Sequence, residues 1–294
     1  MMGFVYSLIK SRIFRKPIAI SFDVTNRCNL RCPFCYWKNF PKKSELELED
    51  IKKLFVNFKR QGVLYCIYLG GEPLLRPDVL KLCSRYIPIN WTVTNGTIVP
   101  PKIQKLLYGV SIDGNEKIHD RIRGKGVYKK AYLNFYNNKN AFTFTTINNL
   151  NKDEPEKIVK TWIKTSVRGA YFNFATPFTN KQNNYWLQWG LRDKVVDKLL
   201  NLKKEYGDFI LLTREQIEMF KRKNNKNKVQ RCKEKHIKGL TASYYSDGSR
   251  KELCTLGKYA DCERCGSVCS TLPNSISQIN KEWKTIYSKL FNME

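Results

Sequence analysis

Apolar and polar residues along this chain switch repeatedly between a period of two and a period of about 3.6 residues, the signatures of strand and helix. Residues 18–24 read as a first strand and 64–69 as a second. The runs 89–94, 108–112, 141–147 and 170–175 supply four more. Helical stripes lie between them. Ser44 and Glu47 are spaced as a capping box ahead of Ile51, Leu54, Phe55 and Phe58, and Gly62 closes that helix. Further helices are expected over 78–86, 100–107, 127–138 and 154–165. Strands alternating with helices in this way dictate a parallel sheet, because a parallel connection needs a long crossover. The six units of this alternation fall short of the eight in a closed barrel. The expected fold class is therefore α/β, a partial, TIM-like (β/α)6 barrel.

The flanks break this rhythm. Phe4, Val5, Leu8, Ile9, Ile13 and Phe14 form one stripe with Lys10, Arg12, Arg15 and Lys16 around it, and Pro17 ends the pattern. Residues 1–17 thus read as an amphipathic helix, which either closes a barrel end or lies on an anionic membrane surface. Beyond residue 180, helices are expected over 185–206 and 213–222. A basic, Asn-rich link follows from Lys221 to Lys228, then a hairpin at Tyr245-Ser246-Asp247-Gly248, and a last helix over 276–291. The division is an N-terminal helix (1–17), the barrel (18–180), a helical connection with basic linker (181–228) and a small cysteine-rich α+β extension (229–294).

Composition narrows the class. Hydrophobic residues make up 42% of the 294 and aromatic residues 13%, a globular rather than disordered balance. No apolar run is long enough to span a bilayer, and the N-terminus lacks the features of a secretory signal. The 53 Lys and Arg against 26 Asp and Glu leave a net charge of +27, which either favours anionic partners or serves only solubility. Ten cysteines grouped in tight clusters read as metal ligands in a reducing compartment, so a cytoplasmic protein is expected, peripheral at a membrane where residues 1–17 lie on one.

The chemistry concentrates in turns directly after strands. Cys28, Cys32 and Cys35 follow the first strand at C-x3-C-x2-C spacing. Three thiolates on one short loop make a soft-metal site, one ligand short of the four that close a zinc or cluster site. Gly70-Gly71-Glu72-Pro73 follows the second strand, Thr94-Asn95-Gly96 the third and Ser111-Ile112-Asp113-Gly114 the fourth. In parallel β/α architectures such strand ends face one cleft. A later set, Cys232, Cys254, Cys262, Cys265 and Cys269, could supply four ligands to a second metal; Cys66 and Cys83 read as small core residues.

The cysteine loop, with aromatic Phe34 before its last cysteine, resembles the signature of the radical S-adenosylmethionine (radical SAM) enzymes. The resemblance implies a [4Fe-4S] cluster on Cys28, Cys32 and Cys35 whose fourth iron binds SAM. An external reductant of the ferredoxin or flavodoxin kind would feed it, and reductive cleavage of SAM would give a 5′-deoxyadenosyl radical. It implies SAM contacts from Phe34, Gly70, Gly71, Glu72, Asn95 and Ser111, with Arg123 paired to the SAM carboxylate. The late cysteines resemble SPASM or twitch extensions, with five cysteines where full SPASM domains use seven, which implies one auxiliary [4Fe-4S] cluster; a zinc site competes. The Ser111…Arg123 pattern and the extension resemble peptide and protein maturases. The approach from Leu256 to Cys262 resembles lipid-modifying members, so both substrate classes stand. The reading from another class is a non-enzymatic, zinc-binding, nucleic-acid-binding basic protein, which explains the charge but not the SAM-site residue types at three other strand ends.

Overall fold

The computed structural model describes residues 16–39, 43–178, 184–272 and 279–291. The helix expected over 1–17 falls almost wholly outside them. Seven parallel strands form the sheet: β1 (Ala19–Thr25), β2 (Tyr65–Gly70), β3 (Ile89–Thr94), β4 (Leu106–Ser111), β5 (Ala141–Ile147), β6 (Ala170–Phe174) and β7 (Thr241–Tyr244). Their order is β6-β5-β4-β3-β2-β1-β7. The fold class is the expected partial barrel. Nine helices are described: α1 (Leu48–Gln61), α2 (Pro77–Cys83), α3 (Glu116–Arg123), α4 (Val127–Phe135), α5 (Pro155–Trp162), α6 (Trp189–Tyr206), α7 (Arg214–Glu218), α8 (Asn225–Ile237) and α9 (Lys281–Phe291). Among the described residues no helix is long and apolar enough to cross a membrane.

The hairpin expected at Tyr245-Ser246-Asp247-Gly248 forms: Tyr245 N donates to Ser249 O, Lys251 N to Ser243 O, and Tyr244 bridges Arg250 antiparallel. Its first arm, β7, also runs parallel to β1, from Ala19 opposite Thr241 to Phe22 opposite Tyr244, a pairing the sequence reading does not foresee. Three local expectations are corrected. No helix spans 100–107. Pro100 and Pro101 lack N–H groups, Lys105 takes a left-handed φ of 59°, and Leu106 and Leu107 enter β4 instead. The capping box of Ser44 and Glu47 does not form, because Glu47 is itself the N-cap and its side chain makes no capping bond. The basic run 221–228 is no extended link, since α8 begins at Asn225. The short helix α3 had no counterpart in the sequence reading.

The chain divides into two compact units. One comprises Met1–Thr94, Ile98–Tyr108 and Lys233–Lys258, the other Asn95–Thr97, Gly109–Cys232 and Tyr259–Glu294. In the first, β1 separates two environments because successive side chains point to opposite faces. Phe22 meets Phe55 of α1 edge-on at 5.4 Å, Phe55 meets Phe58 likewise, and Phe58 packs on Tyr244. Burying each such ring contributes roughly 1.5–3 kcal/mol. The opposite face is polar. Ser21 Oγ accepts from Thr255, and Asp23 meets the ammonium of Lys251 at 2.6 Å with both side chains fully buried. Burial pushes the Asp23 carboxyl up to about 6 despite that cation, and pushes the Lys251 ammonium down.

In the second unit β5 and β6 pair in parallel from Thr143 opposite Ala170 to Ile147 opposite Phe174. Phe144 stacks on Tyr171, and the fully buried Trp162 of α5 meets Tyr132 of α4 edge-on. Arg168 donates to the carbonyls of Lys289 and Leu290, which ties down the end of α9.

Candidate active site and metal centres

The cysteine loop is anchored at its root. Glu45 Oε1 accepts from Thr25 Oγ1 and from the Asn26 N–H, both at 2.7 Å, while the Trp37 indole donates to Asn26 O. Cys35 N donates to Cys32 O at 3.2 Å and Leu30 N to Cys28 Sγ at 3.4 Å. Cys32 is buried, Cys35 and Phe34 half-buried, and Cys28 the most exposed of the three cysteines. Loss of water still pushes the Cys28 thiol up, the Leu30 N–H opposes this, and the nearby Glu72, Cys35 and Cys32 add to the rise.

The Gly70-Gly71-Glu72 turn is clamped onto that root. Gly71 N donates to Thr25 O and Glu72 N to Arg27 O, each at 2.8 Å. A Cβ on Gly71 would stand 2.1 Å from Arg27 O, and Gly70 holds a φ of 120° with its own Cβ position 2.5 Å from Thr25 O. Only glycine permits this approach and this dihedral. These two N–H donors are taken up inside the protein, which leaves the turn its carbonyl oxygens to offer. The Glu72 carboxylate is buried, its Oε1 accepting from Leu74 N at 3.0 Å and Thr94 Oγ1 at 2.8 Å.

In the second unit, the segment after β4 is a knot around Asp113. Arg123 Nε donates to Asp113 Oδ2 at 2.6 Å, with Asp113 fully buried and Arg123 11% exposed. The Asp113 N–H donates to His119 Nδ1 at 3.1 Å. Burial, then the neighbouring Arg123 charge, push the His119 imidazole down to about 3, so it is a neutral acceptor rather than a base. Asp120 accepts from the N–H groups of Gly126 and Tyr128 and so starts α4. Asn95 Oδ1 accepts from both Thr97 N and Thr97 Oγ1, closing the turn after β3. Ser111 is buried at the end of β4.

The late cysteines divide between the units. Cys254 lies in the first, beside the left-handed Leu253. Cys232 on α8, Cys262, Cys265 and Cys269 lie in the second. The Cys265 loop is fastened to the end of β6: Phe174 N donates to Gly266 O, Gly266 N to Thr176 Oγ1, and a Cβ on Gly266 would stand 2.2 Å from Phe174 O. Cys265 Sγ accepts from Ser267 N at 3.4 Å and from Thr176 Oγ1 at 3.9 Å. All ten cysteines of the chain are outside disulfides.

Two buried cations converge on that loop. Arg192 Nη2 of α6 donates to Cys265 O at 2.9 Å and Lys228 Nζ of α8 to the same oxygen at 2.5 Å. Neither pairs with a carboxylate among the described residues, and Arg192 Nε has no hydrogen-bond partner. Burial pushes both down, the Lys228 ammonium to about 7, where the Arg192 charge adds to the effect while Cys265 and Cys232 oppose it. The Arg192 guanidinium lies 4.7 Å from the Phe174 ring and 4.8 Å from that of Trp189. Ring contacts of this kind contribute about 0.5–2 kcal/mol, less than the several kcal/mol that taking a cation out of water costs.

Both thiol sets suit a soft metal, and in both a sulfur already accepts an N–H two residues on, as ligating sulfurs in clusters do. As they stand, no three His, Cys, Asp or Glu side chains among the described residues converge closely enough to hold a metal. Sequence reasoning missed Glu45, Asp113, Arg192 and Lys228 as site residues. Arg192 had a signal, a charge on the apolar stripe of Val195, Val196 and Leu199; Lys228, inside a Lys- and Asn-rich run, had none.

The sequence profile of the radical SAM superfamily matches residues 22–161, a stretch that includes the cysteine loop and the turns after β2, β3 and β4. Over this stretch the chain is similar to the radical SAM superfamily, whose members are enzymes that use a [4Fe-4S] cluster and SAM. The antilisterial bacteriocin subtilosin biosynthesis protein AlbA of Bacillus subtilis is 30% identical over 129 residues, 39% of this chain and 29% of that protein. An AdoMet-dependent heme synthase of Methanosarcina barkeri is 30% identical over 169 residues, 52% of this chain and 48% of that protein. The chain thus covers less than half the length of either relative. The structure of Streptococcus suis SuiB bound to precursor peptide SuiA matches with a TM-score of 0.64 at 13% identity, over 97% of this chain and 70% of that chain, a likeness of fold.

Proposed function

We propose that this chain is a radical SAM enzyme that cleaves SAM reductively and modifies a peptide or protein. The observation that carries the reading is the contact of Gly71 with Arg27 O, which holds an acceptor turn against the root of a three-cysteine loop where no other residue fits. Cys28, Cys32 and Cys35 would hold the cluster, and the carbonyls of the Gly70–Glu72 turn would receive the SAM ammonium. Arg123, pre-set by Asp113, would offer its remaining nitrogens to the SAM carboxylate. Phe34, Asn95 and Ser111 would border the rest of the cofactor. When bound, cluster and SAM supply a 5′-deoxyadenosyl radical; an external one-electron reductant feeds them. Cys232, Cys262, Cys265 and Cys269, the four that share one compact unit, would hold an auxiliary [4Fe-4S] cluster. The peptide assignment is supported by the relatives: AlbA serves bacteriocin biosynthesis and SuiB is seen with a precursor peptide.

The test is iron, sulfide and zinc per chain after anaerobic reconstitution, with 5′-deoxyadenosine formation assayed alongside, for wild type and a Cys28/Cys32/Cys35→Ala variant. About eight iron falling to about four, with loss of 5′-deoxyadenosine, is the expected result on four-iron clusters. Zinc alone without 5′-deoxyadenosine sinks the reading. Stimulation of 5′-deoxyadenosine formation by acidic peptides supports the substrate class; stimulation by a porphyrin or by anionic vesicles instead overturns it.

A further inference from the structure

Arg192 and Lys228 are fully buried, come from different helices, and donate to one carbonyl oxygen, that of Cys265. Among the described residues neither is ion-paired with a carboxylate, and Arg192 Nε has no hydrogen-bond partner. Two cations side by side repel one another, so this arrangement is poor by itself and suits a concentrated negative charge nearby. Four thiolates around a [4Fe-4S] core carry a net negative charge, and accepting an electron adds one more. Cluster potential follows net charge and hydrogen bonding around the sulfurs. We infer that Arg192 and Lys228 are built-in counter-ions of the auxiliary cluster that raise its reduction potential and so make it a better electron acceptor. The inference rests on the reading that Cys232, Cys262, Cys265 and Cys269 hold that cluster. Both residues act through it as positioning residues and not on substrate. The step is one electron from a reductant to the oxidised cluster, with no proton or bond transferred.

The experiment is an anaerobic dithionite titration followed by EPR, on the full chain carrying Cys28/Cys32/Cys35→Ala so that only the second cluster remains. Lys228→Met and Arg192→Gln are each expected to lower the reduced-to-oxidised ratio at a fixed potential at least tenfold, a 59 mV shift for a one-electron couple. Lys228→Arg and Arg192→Lys should restore most of it. In the metal-free chain, Lys228→Met should unfold at the same temperature or higher, because it removes an unpaired buried charge and keeps the stem. Should Arg192→Gln fail to fold, Lys228→Met decides alone. Four iron retained with midpoints unmoved in the variants overturns the inference while leaving the cluster assignment standing. No iron, or zinc, in the Cys28/Cys32/Cys35→Ala parent overturns the assignment beneath it.

Discussion

The hydroxyl of Thr94, the last residue of β3, donates to Oε1 of Glu72 at 2.8 Å, and Leu74 N donates to the same oxygen at 3.0 Å. Glu72 is buried, so its carboxylate is a structural post that joins the end of β3 to the turn after β2. Thr94→Val keeps the shape and removes one donor to a buried carboxyl oxygen, at a cost of about 1–3 kcal/mol. Denaturant unfolding should register that loss, and SAM binding should weaken because the turn loosens. Unchanged stability would show that Glu72 does not depend on this bond.

Gly71→Ala is expected to be far harsher than an ordinary glycine substitution. Its Cβ position lies 2.1 Å from the backbone oxygen of Arg27, one residue before Cys28, and neither partner is a flexible side-chain end. The displacement must pass into the cysteine loop. Iron bound at Cys28, Cys32 and Cys35 should fall by more than half on reconstitution, measured against the far smaller effect of Gly190→Ala in α6, where nothing lies within 4 Å of a Cβ.

Asp113 holds Arg123 by a 2.6 Å bond to Nε, which fixes the plane of the guanidinium. Arg123→Lys keeps a charge but loses the fork, and Asp113→Asn weakens the hold. Each should raise the SAM dissociation constant roughly tenfold, about 1.4 kcal/mol, with iron content unchanged. Calorimetry on the reconstituted protein checks this; parallel loss of iron would point to misfolding instead.

His119 gives the fold an acid weakness. Its folded-state value is pushed down to about 3 by burial first and the Arg123 charge second. Above about pH 6.5 both folded and unfolded histidine are neutral, so nothing is lost there. As pH falls from about 6.5 towards 3, the unfolded chain takes up a proton that the folded chain refuses, and stability drops by roughly 1.4 kcal/mol per unit. His119→Asn retains an acceptor for the Asp113 N–H and cannot titrate, so its stability should fall less steeply over that window. Equal slopes for the two proteins would refute the assignment.

Asp23 and Lys251 form a fully buried pair at 2.6 Å. Removing either partner alone strands the other and should cost about 3–5 kcal/mol, whereas removing both together is far cheaper. Asp23→Asn, Lys251→Met and the double variant, compared by denaturant unfolding, should show strong positive coupling. Additive losses would mean that the pair contributes no interaction of its own.

Much of this protein was legible in one dimension. Strand positions follow from alternation, helices from stripes such as Ile51, Phe55 and Phe58, and the parallel sheet from their regular succession, because these are consequences of backbone geometry within a few residues. The cysteine loop and the glycine turn were legible for the same reason: spacing along a short loop limits where thiols can go, and paired glycines mark a close approach. Whatever depends on partners distant in sequence was not. Ser44, Glu45 and Glu47 look like a helix cap, yet Glu45 serves Thr25 and Asn26. Thr241–Tyr244 is the first arm of the hairpin its turn signals, yet nothing local says that it also pairs with β1, more than two hundred residues away. Lys228 looks like one more solvated cation in a run of Lys and Asn, yet it is fully buried against Cys265. By itself the sequence determined the first six strands, the fold class and the cysteine loop that opens the site. Tertiary structure alone decided which charges are buried and what faces them, because burial and charge pairing are set by neighbours that packing, not chain adjacency, supplies.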